Sequence, residues 1–292
     1  MADTQEKPDV VVNTYRESQR YKGIVRNDKT IALDGGSPNR VPFLPAIMGA
    51  SHALFTQAVG HYFDEGSILG AKAFEPRLRQ LGITEPLKDS NVLTTFGATS
   101  GYNAAMELLG KDDVLLVQTP GYGYFKYPEH IGHTNVEAIQ LRPEDNYKLT
   151  PEYLDSEITR INVNLPAGKK VTAFFNINPA NPTGAVYTKD EVAALAKIIN
   201  KHGLRMVIDD MAYSGLEFDH AHPDKENPRI ASPFAAVPGM FDKTITLLTL
   251  SKAYGVPGLR AGLAVGPEKF IAPMSKSIYR TMDSASLPAE GA

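Results

Sequence analysis

Cysteine is absent from the sequence, which excludes disulfide bonds, thiolate nucleophiles and cysteine-ligated metals. Charge imbalance is nearly absent too. Lysine and arginine number 30 against 33 aspartates and glutamates, a net charge of −3, and that balance offers no footing for a nucleic-acid surface or a polybasic membrane patch. No apolar run approaches the ~20 residues that a membrane-spanning helix needs. Met1–Val10 is polar and acidic, without the basic start and apolar stretch of a secretory leader. His52, His61, His130, His133, His202 and His220 lack the spacing of metal ligands, so no metal is expected. Internal repeats and low-complexity tracts are missing as well. What is present is an ordinary soluble composition, 42% hydrophobic and 22% charged over 292 residues. It suffices for one large domain, or a large domain with a smaller partner piece, and fits a cytoplasmic setting.

The turn-rich stretch Asp34-Gly35-Gly36-Ser37-Pro38-Asn39 separates an N-terminal arm from the body. Beyond it, apolar runs of strand length alternate with segments of helical period. Strands are expected at Val92–Phe96, Val114–Gln118, Val136–Gln140, Val171–Ile177, Arg205–Asp209, Thr244–Leu250 and Ala261–Val265. Helices are expected at Gly101–Leu109, Tyr122–Ile131, Pro151–Asn164, Lys189–His202 and Glu268–Tyr279, with Thr188 and Glu191 forming a capping box. Strands that alternate with helices imply a largely parallel sheet covered on both faces, and the Val, Ile and Leu content of the strands agrees. Only ten residues separate Leu250 from Ala261, too few for a helical crossover, so that pair is expected to run antiparallel. The fold class is therefore α/β: a three-layer αβα arrangement with a mixed, mostly parallel sheet of about seven strands.

Ligands of open α/β sheets sit beyond the carboxyl ends of the strands, so the residues that follow each strand matter most. Gly97-Ala98-Thr99 opens a helix after the first strand, and Tyr122 follows the second. Asn178-Pro179-Ala180-Asn181-Pro182-Thr183-Gly184 follows the fourth, Asp210 and Tyr213 the fifth, and Ser251-Lys252 the sixth, whose end includes Thr249. Arg260 stands eight residues beyond Lys252, just before the last strand. These types suit a phosphorylated pyridine aldehyde. Backbone N–H groups at a helix start, a hydroxyl and a guanidinium bind phosphate. A lysine amine forms a Schiff base with an aldehyde. A carboxylate beside the ring nitrogen favours its protonated form, which turns the ring into an electron sink. A phenol and an amide donate to the ring oxygen, and an aromatic face stacks on the ring.

Two of these segments carry a resemblance. Asn178–Gly184 is similar to the Asn-Pro-Thr-Gly loop of class I/II aminotransferases, and Thr249-Leu250-Ser251-Lys252-Ala253-Tyr254-Gly255-Val256-Pro257-Gly258-Leu259-Arg260-Ala261-Gly262 resembles their lysine signature. Between them, Asp210 and Tyr213 match the family's Asp-x-x-Tyr element in order and spacing. The resemblance covers roughly residues 31–266. It implies the fold type I large domain of pyridoxal-phosphate enzymes, a Schiff base at Lys252, amino acid and 2-oxo acid substrates, and a homodimer with shared active sites. It further implies Asn181 and Tyr213 at the ring oxygen, Asp210 at the ring nitrogen, and Tyr122 stacked on the ring. Phosphate contacts would come from Gly97, Ala98, Thr99, Thr249, Ser251 and Arg260, and Lys252, Asp210 and Tyr213 would be the catalytic set. Gly36 and Tyr62 are weaker candidates on the substrate side. The family also continues into a C-terminal small domain that supplies an arginine for the substrate carboxylate. Here the sequence ends at Ala292, so residues 1–45 are expected as an arm and substrate-loop piece, 46–280 as the large domain, and 281–292 as the start of a linker to a missing small domain.

Each segment alone has a plainer reading. Asn181–Gly184 is a good β-turn, Gly97–Gly101 an ordinary strand-to-helix turn, Tyr122 packing, Arg260 a surface charge and Asp209 a structural acid. Their conjunction, in order and at strand ends, favours the cofactor reading. The same ring-side residues also serve a lyase, a decarboxylase, a cyclising enzyme or an oxidase, because the cofactor carries the hard chemistry. A non-catalytic regulatory domain is the remaining alternative, disfavoured because residues 1–40 hold no basic helix-turn-helix module.

Overall fold

The computed structural model of the chain describes residues 38, 42–55, 70–122, 135–218, 230–282 and 286. The chain divides into two units, Met1–Gly36 and Ser37–Ala292, and every described residue lies in the second. Seven strands form one sheet: β1 (Val92–Thr95), β2 (Asp113–Thr119), β3 (Val136–Gln140), β4 (Lys170–Ile177), β5 (Met206–Asp210), β6 (Thr244–Thr249) and β7 (Gly262–Val265). Their order across the sheet is β1-β7-β6-β5-β4-β2-β3. Neighbours from β3 to β6 pair in parallel, whereas β7 runs antiparallel to both β6 and β1. The expected antiparallel pair is thus present, and a second one lies beside it.

The described helices are α1 (Leu44–Phe55), α2 (Gly70–Gln80), α3 (Ala98–Met106), α4 (Pro151–Asn164), α5 (Lys189–Lys201) and α6 (Glu268–Met282). Strand alternation sends Leu115, Val117 and Ile208 to one face, where Tyr102 and Met106 of α3 meet Phe270 and Met274 of α6. Val114, Leu116 and Val207 point the other way, onto Leu154 and Ile158 of α4 and Leu195 and Ile199 of α5. Towards β1, α2 packs Ala71, Phe74 and Leu78 over Val92, Leu263 and Val265. Helices on both faces explain why the strands are apolar on both sides. Each fully buried large side chain contributes roughly 1.5–3 kcal/mol.

Local signals account for several boundaries. Thr150 caps α4 by accepting a bond from Tyr153 N–H at 3.2 Å. At α5 the Thr188 N–H donates to Glu191 Oε2 at 2.8 Å, the reciprocal half of the capping box. Helix α3 starts at Ala98, three residues before its expected start at Gly101. The Ala-Thr-Ser triplet that looks like loop in sequence is its first turn. Helices α1 and α2 were not expected. Helix α1 buries Ala46, Ala50 and Ala53 while Leu44, Met48 and Phe55 stay exposed, so its pattern is inverted. Helix α2 carries Pro76 and several charges. Of the expected helix Tyr122–Ile131, residues 123–131 lie outside the described residues. No described helix is long and apolar enough to cross a membrane.

Candidate active site

The expected residues meet where the parallel strands end. Ala98, Thr99, Tyr122, Asn181, Asp210, Tyr213, Thr249, Ser251, Lys252 and Arg260 all line one cavity of about 160 Å³. Gly97 stands just outside that lining. It is the residue before α3, with φ 79°, and a Cβ there would lie 2.6 Å from an Arg260 guanidinium nitrogen. Only a glycine leaves room for Arg260 to lie against this turn. Ser100 Oγ fixes the turn by accepting the Phe96 N–H at 2.7 Å, and Thr95 Oγ1 donates to Gly97 O at 3.0 Å. Gly36 and Tyr62, the two substrate-side candidates, lie outside the described residues.

Arg260 reaches this turn from a left-handed backbone conformation, φ 54°, an uncommon state for a non-glycine residue that collects at functional sites. Its guanidinium donates to Phe96 O at 3.0 Å and to Pro257 O at 2.9 Å. Among the described residues no carboxylate pairs with it. Thr249 Oγ1 lies 2.9 Å from both Ser251 Oγ and Ala261 O and accepts the Ser251 N–H at 3.1 Å, which folds the chain sharply after β6. The Lys252 ammonium lies 5.6 Å from the centre of the Tyr213 ring. Burial first, and then the positive charge of Arg260, hold its pKa below the usual lysine range.

Asp210 is the last residue of β5 and buried; its Oδ1 accepts the Ala212 N–H at 2.9 Å. Asn181 Nδ2 donates to the Tyr213 hydroxyl oxygen at 3.2 Å, which leaves the phenolic proton for another acceptor. Burial, and then Asp210 and Tyr122, push the Tyr213 phenol up, so it stays a donor. The turn that presents Asn181 is closed by the Gly184 N–H donating to Ala180 O at 2.9 Å. Behind it, the fully buried Asn178 accepts the Tyr187 N–H at 2.9 Å and donates to Tyr187 O and Ser232 O.

Asp209 points away from the cavity. Its carboxylate accepts from Asn176 Nδ2 at 2.8 Å and from Phe234 N–H at 2.7 Å, and Asn176 Oδ1 in turn accepts from Gln118 Nε2 at 3.0 Å. This polar tie crosses β5, β4 and β2 directly beneath the site. Sequence reasoning passed over Asn176 and Gln118. Their signal was a polar side chain within a strand whose both faces are covered, a placement that demands a partner. Burial pushes the Asp209 carboxyl up to about 6 from 3.8. With the folded value above the unfolded one, the native state holds the extra proton between about pH 4 and pH 6. Stability from this group is therefore full below that window and lost as pH rises through it, by about 3 kcal/mol at most. Asp209→Asn should lower stability overall, because its amide N–H faces an N–H donor, yet flatten that pH dependence. Urea melts of both proteins from about pH 4 to 7 measure the difference.

The fold and the rim together describe a cofactor-binding large domain, and comparison with known proteins places it. The family model for aminotransferase class I and II matches residues 47–289, and the chain belongs to this family, whose enzymes depend on pyridoxal phosphate. It is 32% identical over 176 residues to the aspartate/prephenate aminotransferase of Cereibacter sphaeroides, which covers 59% of this chain and 39% of that protein. Against the bifunctional aspartate aminotransferase and glutamate/aspartate-prephenate aminotransferase of Petunia hybrida, identity is 24% over 248 residues, 84% of this chain and 48% of that one. The chain thus spans under half the length of these two relatives. Among solved structures, N-succinyldiaminopimelate aminotransferase from Mycobacterium tuberculosis superposes with a TM-score of 0.74 at 25% identity, covering 88% of this chain and 62% of that one. Aspartate aminotransferase from Thermus thermophilus with maleate gives 0.72 at 24% identity, covering 98% and 68%.

The residues present fit pyridoxal phosphate. The N-terminus of α3, a glycine with no room for a side chain, and a guanidinium without a carboxylate partner among the described residues form an anion cradle. A lysine and a buried carboxylate stand in the same cavity.

Proposed function

We propose that this chain is the cofactor-binding part of a pyridoxal-phosphate-dependent aminotransferase that moves the amino group of an amino acid to a 2-oxo acid. The observation that carries this reading is the convergence of Lys252, Asp210, Tyr213, Asn181 and Arg260 on one cavity at the strand ends. When bound, pyridoxal phosphate supplies an electrophilic carbonyl carbon and an electron-withdrawing ring. The α3 N-terminus, Thr99, Ser251 and Arg260 hold its phosphate, with Ala98 contributing backbone and Thr249 its hydroxyl. Asp210 accepts from the ring N–H, and its negative charge keeps that proton in place. Tyr213 and Asn181 donate to the ring oxygen, and Tyr122 covers a ring face. Lys252, whose pKa burial and then Arg260 hold below the usual lysine range, takes the proton from the substrate α-carbon as general base and would pass it on to the cofactor's carbonyl-derived carbon as general acid. The proposal includes a homodimer with shared active sites, the division into residues 1–45, 46–280 and 281–292, and a cytoplasmic setting.

The visible absorption spectrum of the protein with added pyridoxal phosphate tests the reading. A visible band that bleaches with an amino acid and returns with a 2-oxo acid supports transamination. A band that changes without reversal by a 2-oxo acid selects a lyase or oxidase instead. No band in folded protein rejects the reading. Arg260→Ala should weaken cofactor binding by roughly ten- to a hundredfold, the value of a charge-assisted hydrogen-bonded pair, as read by cofactor titration of the band.

A further inference from the structure

A second cavity, of about 280 Å³, lies on the α2 side of the sheet and shares only Thr249 with the cofactor cavity. Its walls are mainly apolar: Phe43, Phe74, Leu78, Met211, Leu248 and Leu263. Arg77, Thr94, Ser214, Thr249 and Tyr254 interrupt them with polar groups, and among the described residues the first two lack their usual partners. Thr94 is 7% exposed, and its Oγ1 is buried without a hydrogen-bond partner. A buried orphan hydroxyl of this kind is uncommon in native proteins and calls for an explanation. Arg77 is half-buried in the same wall; its guanidinium donates to Ser214 O at 3.3 Å, Ser214 Oγ at 3.0 Å and Gln80 Oε1 at 3.4 Å. Among the described residues Arg77 has no carboxylate partner, and the oxygens it reaches are all neutral, so a guanidinium stands at an apolar cavity with no described anion against it. The next guanidinium along α2, Arg79, is paired with Glu75 at 2.9 Å, so a cation of this helix is not unpaired by default.

We propose that this cavity binds a small monocarboxylate with an aromatic or branched aliphatic body, its carboxylate held by Arg77, with the Thr94 hydroxyl as a second donor once rotation about χ1 brings its buried oxygen to the cavity wall. Size supports the class. An apolar cavity on the order of 150 Å³ already accepts a benzene ring, so 280 Å³ holds a ring and a short carboxylate arm. Chemistry supports it as well, since ligand sites are largely apolar with a few polar groups that fix orientation. The site lies beyond the cofactor reading and does not depend on it. Its position nonetheless bears on Lys252. Leu250, Tyr254 and Ala261 line the cavity, and they lie on either side of the Lys252 turn, with the Leu250 N–H donating to Ala261 O at 3.1 Å. An occupant touches both limbs of the segment that carries the lysine.

Isothermal titration of 3-phenylpropanoate into the protein, both with and without added pyridoxal phosphate, tests the proposal. Saturable binding is expected, and 3-phenylpropanamide, which removes the charge without altering the protein, should bind at least about tenfold more weakly. Arg77→Ala should cost roughly ten- to a hundredfold in carboxylate affinity. Thr94→Val should weaken it too while leaving the melting temperature unchanged or higher, because it removes an unpaired buried hydroxyl. No saturation up to ~10 mM, the weak end of specific binding, overturns the proposal. So does an affinity that ignores both substitutions, or competition with pyridoxal phosphate in cofactor-free protein, which would assign the binding to the cofactor cavity.

Discussion

Lys252→Ala is expected to lower turnover of an amino acid substrate by about 10⁴-fold or more. On the proposed mechanism two contributions vanish together: the amine that binds the cofactor carbonyl and the base that moves the α-proton. The phosphate cradle at α3 and Arg260 is untouched by the substitution, so cofactor binding should persist, with a spectrum that lacks the lysine-dependent visible band. Steady-state rates and absorption spectra of the same preparations separate the two effects. A variant that keeps more than about a hundredth of the activity would remove Lys252 from the mechanism. In the unaltered protein the pH profile carries the second sign. The proposed mechanism needs Lys252 as a neutral amine, and its pKa is held below the usual lysine range, so activity should climb with pH earlier than an ordinary lysine permits.

Asp210→Asn should lower turnover by roughly 10²- to 10³-fold with little loss of folded protein, the scale of removing one preorganised electrostatic group. The substitution is structurally mild, because an amide oxygen still accepts the Ala212 N–H that Oδ1 now accepts at 2.9 Å. On the proposed mechanism it is chemically severe, because the charge that would favour a protonated ring nitrogen disappears. Turnover and thermal melting measured together test the claim. Equal losses in both would make Asp210 a structural acid, the part Asp209 plays one residue earlier through Asn176 and Phe234.

Much of the fold was legible because strands buried on both faces declare themselves as short apolar runs. β3 matches its expected bounds, and Asp210 proved to be the last residue of β5 where Asp209 was expected to end it. That these residues gather at one cavity was legible for a topological reason: parallel strands deliver whatever follows them to one rim. Strand order was not legible, since nothing local says that β7 lies between β6 and β1. Helix α1 escaped because its buried face is alanine and its large residues point outward, the reverse of the pattern that marks an amphipathic helix. The Thr94 cavity escaped because it arises from three strands and α2 at once, and no window of sequence contains it.

The antiparallel course of β7 has a consequence for how this region tolerates change. A parallel strand offers the rim the residues after it, but a reversed strand offers the residues before it. The chain between Thr249 and Gly262 therefore begins and ends at the same rim, with Lys252 near its start and Arg260 near its end. One short peptide bridge thus sets the separation of amine and guanidinium. Lengthening it by a residue shifts the two groups against each other, whereas the turns after β4 and β5 each answer for their own residues alone. Natural length variation should accordingly be frequent in surface connections such as the one between α4 and β4 and rare between 250 and 261.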